Sequence, residues 1–152
     1  MLEFVKRLQH KSAKVHRHVA GRQGMIEAMI RILLAEDDES MRGYIARALE
    51  RSGYAVTAVD RGTAALPLLE QDSFDLLLTD IVMPEMDGIE LAQRASTIAP
   101  NMRVMFITGF AAVTLKAGAT PPDAKILSKP FHLRDLVLEV DRVFQVGSAS
   151  GL

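Results

Sequence analysis

The chain has 152 residues, 49% of them apolar and 24% charged, a composition that suits one globular domain with a full hydrophobic core. It contains no cysteine, which excludes disulfides, thiol catalysis and cysteine–metal sites and agrees with a reducing, cytoplasmic setting. The net charge of −1 is unevenly spread: residues 1–24 hold six Lys or Arg and one Glu, the remainder 12 basic and 18 acidic residues, and so acidic a body argues against nucleic-acid binding.

Residues 1–28 stand apart. They are basic, contain three of the four histidines, and offer only a sparse apolar stripe (Leu2, Val5, Leu8, Val15, Val19). A lone helix of that length is marginal in water, so the segment reads as a flexible N-terminal extension. Met25 and Met29 are alternative start positions. The basic residues come without an apolar h-region, which argues against a secretory signal, and no apolar run reaches membrane-spanning length. No membrane contact is expected.

From Arg31 the pattern is regular. Ile32 to Ala35 is a short apolar run ending in acids, as a buried parallel strand would. Ser40 to Arg51 reads as a helix with Met41, Ile45, Ala48 and Leu49 on one face and Gly53 at its stop. Tyr54 to Val59 is a second strand. Gly62 to Gln71 is a helix that Pro67 should bend or shorten. Phe74 to Thr79 is a third strand closing on Asp80, and the loop Met83 to Gly88 follows. Ile89 to Ile98 is a third helix. Val104 to Ile107 is a fourth strand, closing on Thr108 and Gly109. Phe110 to Lys116 is a short fourth helix, and Gly118 to Asp123, with two prolines, is loop. Lys125 to Ser128 is the fifth strand. Leu133 to Gln145 is the last helix, with Leu136, Val137, Val140 and Phe144 facing inward. Gly147 to Leu152 reads as a flexible tail. Strand and helix alternate five times, which implies an α/β fold: right-handed crossovers and a parallel sheet with helices on both faces. The domain spans 29–146.

Polar residues close four of the apolar runs: Glu36 and Asp37, Asp80, Thr108, and Lys129. In open α/β sheets ligands bind beyond the carboxyl ends of the strands, so these groups converge at one edge. Carboxylates held so close repel one another unless a cation joins them. Magnesium, hard and oxygen-seeking, suits such a set. A carboxylate can attack phosphorus to form an acyl phosphate, with the metal, Lys129 and the Thr108 hydroxyl each taking one phosphoryl oxygen. Taken singly, each residue also has a plain role, as helix-start acid, turn residue, helix cap or solvated charge.

The runs Ile32–Glu39 (ILLAEDDE), Leu76–Gly88 (LLLTDIVMPEMDG), Phe106–Gly109 (FITG) and Ser128–Phe131 (SKPF) resemble the receiver domains of bacterial two-component response regulators. The resemblance covers residues 31–145. It implies the doubly wound, flavodoxin-like (CheY-like) sheet of order 2-1-3-4-5. It further implies Asp80 as phosphoacceptor, and Asp37 as direct magnesium ligand. Glu36 would act as the water-mediated acid and the Val82 backbone carbonyl as a further metal contact. Thr108 and Lys129 would bind the phosphoryl oxygens, and Lys129–Pro130 would be a cis peptide. Asp38 and Glu39 have no role in the motif. Phosphate would come from a histidine kinase or histidine phosphotransferase. Gly109–Gly118 (GFAAVTLKAG) and Phe131–Leu138 (FHLRDLVL) resemble, more narrowly, stand-alone receivers of alphaproteobacterial cell-cycle control. In that group the unphosphorylated form primes the ClpXP protease for selected substrates, which implies ClpX as a partner.

Against the family pattern, Ile126 stands where many receivers carry a switch aromatic, which puts that switch in doubt. The short fourth helix suggests an altered signalling face. Val82 and Phe110 flank the expected phosphoryl position. Both are apolar, so slow loss of phosphate is expected. Three functions stay open. The first is a phosphorylation-controlled interaction protein, a monomer or weak dimer that catalyses only its own phosphoryl transfer and dephosphorylation. The second is a phosphorelay intermediate or phosphate sink. The third is a metal-dependent phosphatase, weakened because Val82 stands where such enzymes place a second acid.

Overall fold

The structure, a computed structural model, describes residues 14–18, 25–109 and 124–149. Its elements are β1 (Lys14–His18), β2 (Met25–Met29), β3 (Arg31–Ala35), α1 (Glu39–Arg51), β4 (Ala55–Val59), α2 (Gly62–Gln71), β5 (Leu76–Asp80), α3 (Gly88–Ile98), β6 (Arg103–Thr108), β7 (Lys125–Ser128) and α4 (Leu133–Ala149). β3 to β7 form one sheet of order β4-β3-β5-β6-β7, every neighbouring pair parallel. Counted within that sheet, this is the expected order 2-1-3-4-5.

Strand periodicity splits the core in two. Along β3, Ile32 and Leu34 face one layer while Leu33 and Ala35 face the other, all fully buried. The first layer receives Ile45 and Leu49 of α1 and Leu136 and Val140 of α4. The second receives Ala65 and Leu69 of α2 and Leu91 and Ala95 of α3. Each fully buried Leu or Ile contributes about 2 kcal/mol through removal from water. With both faces of the sheet covered, polar chemistry is left to its edges.

Helix ends follow local chemistry. The Asp38 side chain caps α1 by accepting from the Met41 N–H at 2.8 Å, and Asp87 does the same for α3 through the Glu90 N–H at 2.8 Å. Gly53, at φ 97°, takes the left-handed turn after α1. Pro67 does not break α2, which runs ten residues through it. The ring is exposed, so water can take the carbonyl that lost its donor.

The chain ends differ from the sequence reading. Lys14–His18 and Met25–Met29 pair antiparallel, from Lys14↔Met29 to His18↔Met25, where the sequence suggests a frayed tail. A sparse apolar stripe cannot offset helix nucleation, whereas pairing satisfies the backbone groups directly. At the other end α4 continues through Gly147 to Ala149. One helical glycine costs only about 1 kcal/mol relative to alanine. The expected fourth helix, Phe110 to Lys116, and the loop Gly118 to Asp123 lie outside the described residues. No helix among the described residues is long and apolar enough to cross a membrane.

Candidate functional site

Four strand ends build the site. Just past β3, the Glu36 N–H still bonds the Val59 carbonyl at 3.1 Å, which turns its side chain inward to full burial, while Asp37 is exposed. β5 ends on Asp80, itself buried, and its main chain is held from two sides. The Thr79 hydroxyl donates to the Asp80 carbonyl at 2.9 Å, and the Gly88 N–H donates to the neighbouring Ile81 carbonyl at 2.7 Å. A Cβ at Gly88 would lie 2.0 Å from the Asp80 carbonyl oxygen, so only glycine lets α3 start there. β6 ends on buried Thr108, whose carbonyl accepts from the Lys129 N–H at 2.8 Å. The Lys129–Pro130 peptide that follows is cis.

The side chains of Lys129, Glu36, Asp37 and Asp80 meet. Lys129 Nζ lies 2.9 Å from Glu36 Oε1 and 3.0 Å from Asp80 Oδ2. Glu36, Asp37 and Asp80 each bring a carboxylate oxygen into a group spanning no more than 4.8 Å. One ammonium pairs with the two buried acids, Glu36 and Asp80, and the third, Asp37, is exposed beside them. Burial, with the Asp80 carboxyl alongside, pushes Glu36 up to about 7 even though Lys129 pulls the other way. Burial works to lower the Lys129 pKa, but hydrogen bonds to Glu36 and Asp80 outweigh it and leave the ammonium raised. Such an oxygen-rich, under-neutralised cluster fits a hard divalent cation such as Mg2+, which favours few carboxylates and leaves room for water or phosphate oxygens.

Of the remaining residues singled out in the sequence, Val82 is 55% exposed, two residues beyond Asp80. Ile126 lies on β7 in register with Phe106 and is 37% exposed. Pro130 is exposed. Phe110 lies outside the described residues, as does most of the stretch Gly109–Gly118. Several supports were not singled out for the site: Asp38, Arg42, Thr79 and Gly88. Asp38 was legible as a capping residue ahead of a helical period. Arg42 left no signal, because its guanidinium bonds a main-chain carbonyl, that of Glu36, at 2.9 Å.

Residues 32–141 match the response regulator receiver domain family. The chain is 60% identical over 116 residues to the response regulator receiver protein CpdR of Brucella abortus (strain 2308), an alignment covering 76% of this chain and 97% of CpdR. Among solved structures, it resembles a response regulator receiver protein from Sinorhizobium medicae WSM419 with a TM-score of 0.71 and 34% identity, over 76% of this chain and 94% of that one. It resembles the response regulator TrrA of Thermotoga maritima, solved in complex with Mg(2+)-BeF, with a TM-score of 0.67 and 25% identity, over 76% and 99% of the two chains. Strand order, carboxyl-edge acids and these matches agree: the chain belongs to the response regulator receiver family and is CpdR-like.

Proposed function

We propose that Asp80 accepts a phosphoryl group from a histidine kinase or histidine phosphotransferase and that the aspartyl phosphate switches protein–protein contacts. The observation that carries this is the Lys129 ammonium bridging Glu36 and Asp80, with Asp37 at the same cluster. In this reading Asp37 and Asp80, with the Val82 carbonyl, would hold Mg2+ directly and Glu36 would act through water; the ion, when bound, would supply charge neutralisation for the phosphoryl oxygens. Lys129 holds Oδ2, which leaves the other Asp80 oxygen to attack phosphorus. A P–O bond forms as the P–N bond to the donor histidine breaks, and the departing imidazole nitrogen keeps its electron pair and takes a proton. Lys129 then turns from the carboxylates to a phosphoryl oxygen, and the Thr108 hydroxyl takes another.

For the output, likeness to CpdR supports a CpdR-like adaptor role in cell-cycle proteolysis, with the unphosphorylated form priming ClpXP through ClpX and the phosphorylated form silent. The rival is a phosphorelay intermediate or phosphate sink, in which transfer itself is the output. Incubation with acetyl phosphate and Mg2+ should give one phosphorylated species by phosphate-affinity electrophoresis, absent in Asp80→Asn; label retained in that variant sinks the assignment. Binding of purified ClpX to the protein with and without beryllofluoride separates the two outputs. Loss of binding with beryllofluoride supports the adaptor. Equal binding, together with fast transfer to a histidine phosphotransferase, supports the relay.

A further inference from the structure

The three acids are not held alike. Glu36 and Asp80 are tied to Lys129 through their carboxylates. Among the described residues no hydrogen bond or ion pair holds the Asp37 carboxylate, so its position is set through its main chain. That main chain is braced by one side chain. Arg42 Nη1, one turn into α1, donates to the Glu36 carbonyl at 2.9 Å and reaches the Asp37 carbonyl at the 3.5 Å limit of a hydrogen bond. The Arg42 N–H also bonds the Asp38 carbonyl at 2.8 Å, and Asp38 caps the same helix. Residues 36 to 38 thus lie against one well-anchored turn of α1, with one nitrogen of a permanently charged guanidinium shared between the two carbonyls that flank the Asp37 side chain.

We propose that Arg42 is a positioning residue for the metal: it orients Asp37 by clamping the carbonyls of Glu36 and Asp37. This rests on the reading of Glu36, Asp37 and Asp80 as the Mg2+ site. Two physical effects of Arg42 oppose each other. Its positive charge repels a bound cation, so by electrostatics alone its removal tightens Mg2+ binding. Its clamp preorganises Asp37, so by positioning its removal weakens Mg2+ binding. We infer that positioning wins, because the charge stands off behind two carbonyl dipoles while the clamp acts on the backbone of the ligand itself.

The test is isothermal titration of Mg2+ into the wild type, Arg42→Gln and Arg42→Lys, with acetyl phosphate kinetics across Mg2+ concentration. Arg42→Gln should raise the Mg2+ dissociation constant roughly tenfold. Arg42→Lys keeps the charge but shortens the reach to the two carbonyls, and should fall between Gln and wild type. The phosphorylation rate at saturating Mg2+ should stay within about twofold of wild type, since Arg42 touches no reacting atom. Unchanged or tighter Mg2+ binding in Arg42→Gln overturns the proposal. So does a lower rate at saturating Mg2+ with unchanged affinity. A wild type that takes up no Mg2+ sinks the parent reading as well, which separates the two failures. Thermal melts confirm that both variants are folded when titrated.

Discussion

The two edges of the central sheet carry the same charges to opposite ends. At the amino edge, Arg31 closes a bidentate pair with Asp72 at 2.7 and 2.9 Å, stacks over Phe74 at 4.9 Å, and offers its N–H to Asp75 at 2.8 Å. At the carboxyl edge, Lys129 divides its ammonium between Glu36 and Asp80. Each edge thus has one cation facing two acids. At the amino edge the Asp72 hydrogen bond raises the Arg31 pKa, and Arg31 in turn lowers that of Asp72, so both stay charged in comfort. At the carboxyl edge burial raises Glu36 instead, and Asp37 adds a third acid. Burial, more than charge count, separates a satisfied clasp from a cluster whose acids are left under-neutralised. An open cleft of about 560 Å³ lies at the amino edge, lined by Asp72, Phe74, Asp75 and Phe144 among others. Its size does not bring chemistry with it, since the convergent acids sit at the far end of the strands.

The largest effect that could break this comparison is the pH dependence of the metal-free protein. Glu36 stands at about 7 in the fold against an ordinary 4.5. A raised pKa means its contribution to stability is complete below about pH 4.5 and is lost as pH rises through about 7. Wild type should therefore lose up to about 3 kcal/mol across that window relative to Glu36→Gln, measured from urea midpoints in EDTA. Saturating Mg2+ should reverse the slope. A wild type that gains on Glu36→Gln as pH rises, without metal, contradicts the account of the carboxyl edge. The amino edge has the opposite sign: the pKa of Asp72 is lowered, so its contribution is present above the ordinary 3.8 and is lost as pH falls through its folded value.

Next in size is Gly88→Ala. Its Cβ would strike the Asp80 carbonyl, so α3 must retreat, at a cost of about 2 kcal/mol, and slower phosphorylation of Asp80 should accompany it. Unchanged urea midpoints and unchanged acetyl phosphate kinetics would show that the helix start does not press on the acceptor. The smallest effect is Arg31→Gln. An exposed pair contributes little and is screened by salt, so its melting temperature should approach that of wild type as NaCl increases, and its Mg2+ affinity should not move. A Mg2+ affinity that falls in Arg31→Gln would mean that the two edges are coupled and not independent.

That Glu36, Asp37, Asp80 and Lys129 come together was legible because each closes an apolar run, and a parallel sheet delivers the ends of such runs to one edge. The apolar run sets Asp80 one step beyond its strand, yet β5 includes it, and sets Phe74 inside that strand, yet Phe74 lies before it. Such boundary errors did not disturb the site, since they leave the direction of the chain unchanged. The supports were harder to read. Thr79, Gly88 and Arg42 act on main-chain atoms, and a carbonyl has no letter in the sequence. The β1–β2 ladder was likewise hidden, because pairing between two short segments depends on register rather than on composition.

By itself the sequence determined the alternation of strand and helix and the identity of the acids, hydroxyl and lysine at the strand ends. These follow from short-range periodicity and from the residue types present. Only the tertiary structure decided that Lys129 spans Glu36 and Asp80 across 93 and 49 residues of chain, that Glu36 is buried while Asp37 is exposed, and that glycine alone fits beside the Asp80 carbonyl. Distances and burial arise from how the layers pack, and they set the electrostatics of the acidic cluster at the carboxyl edge.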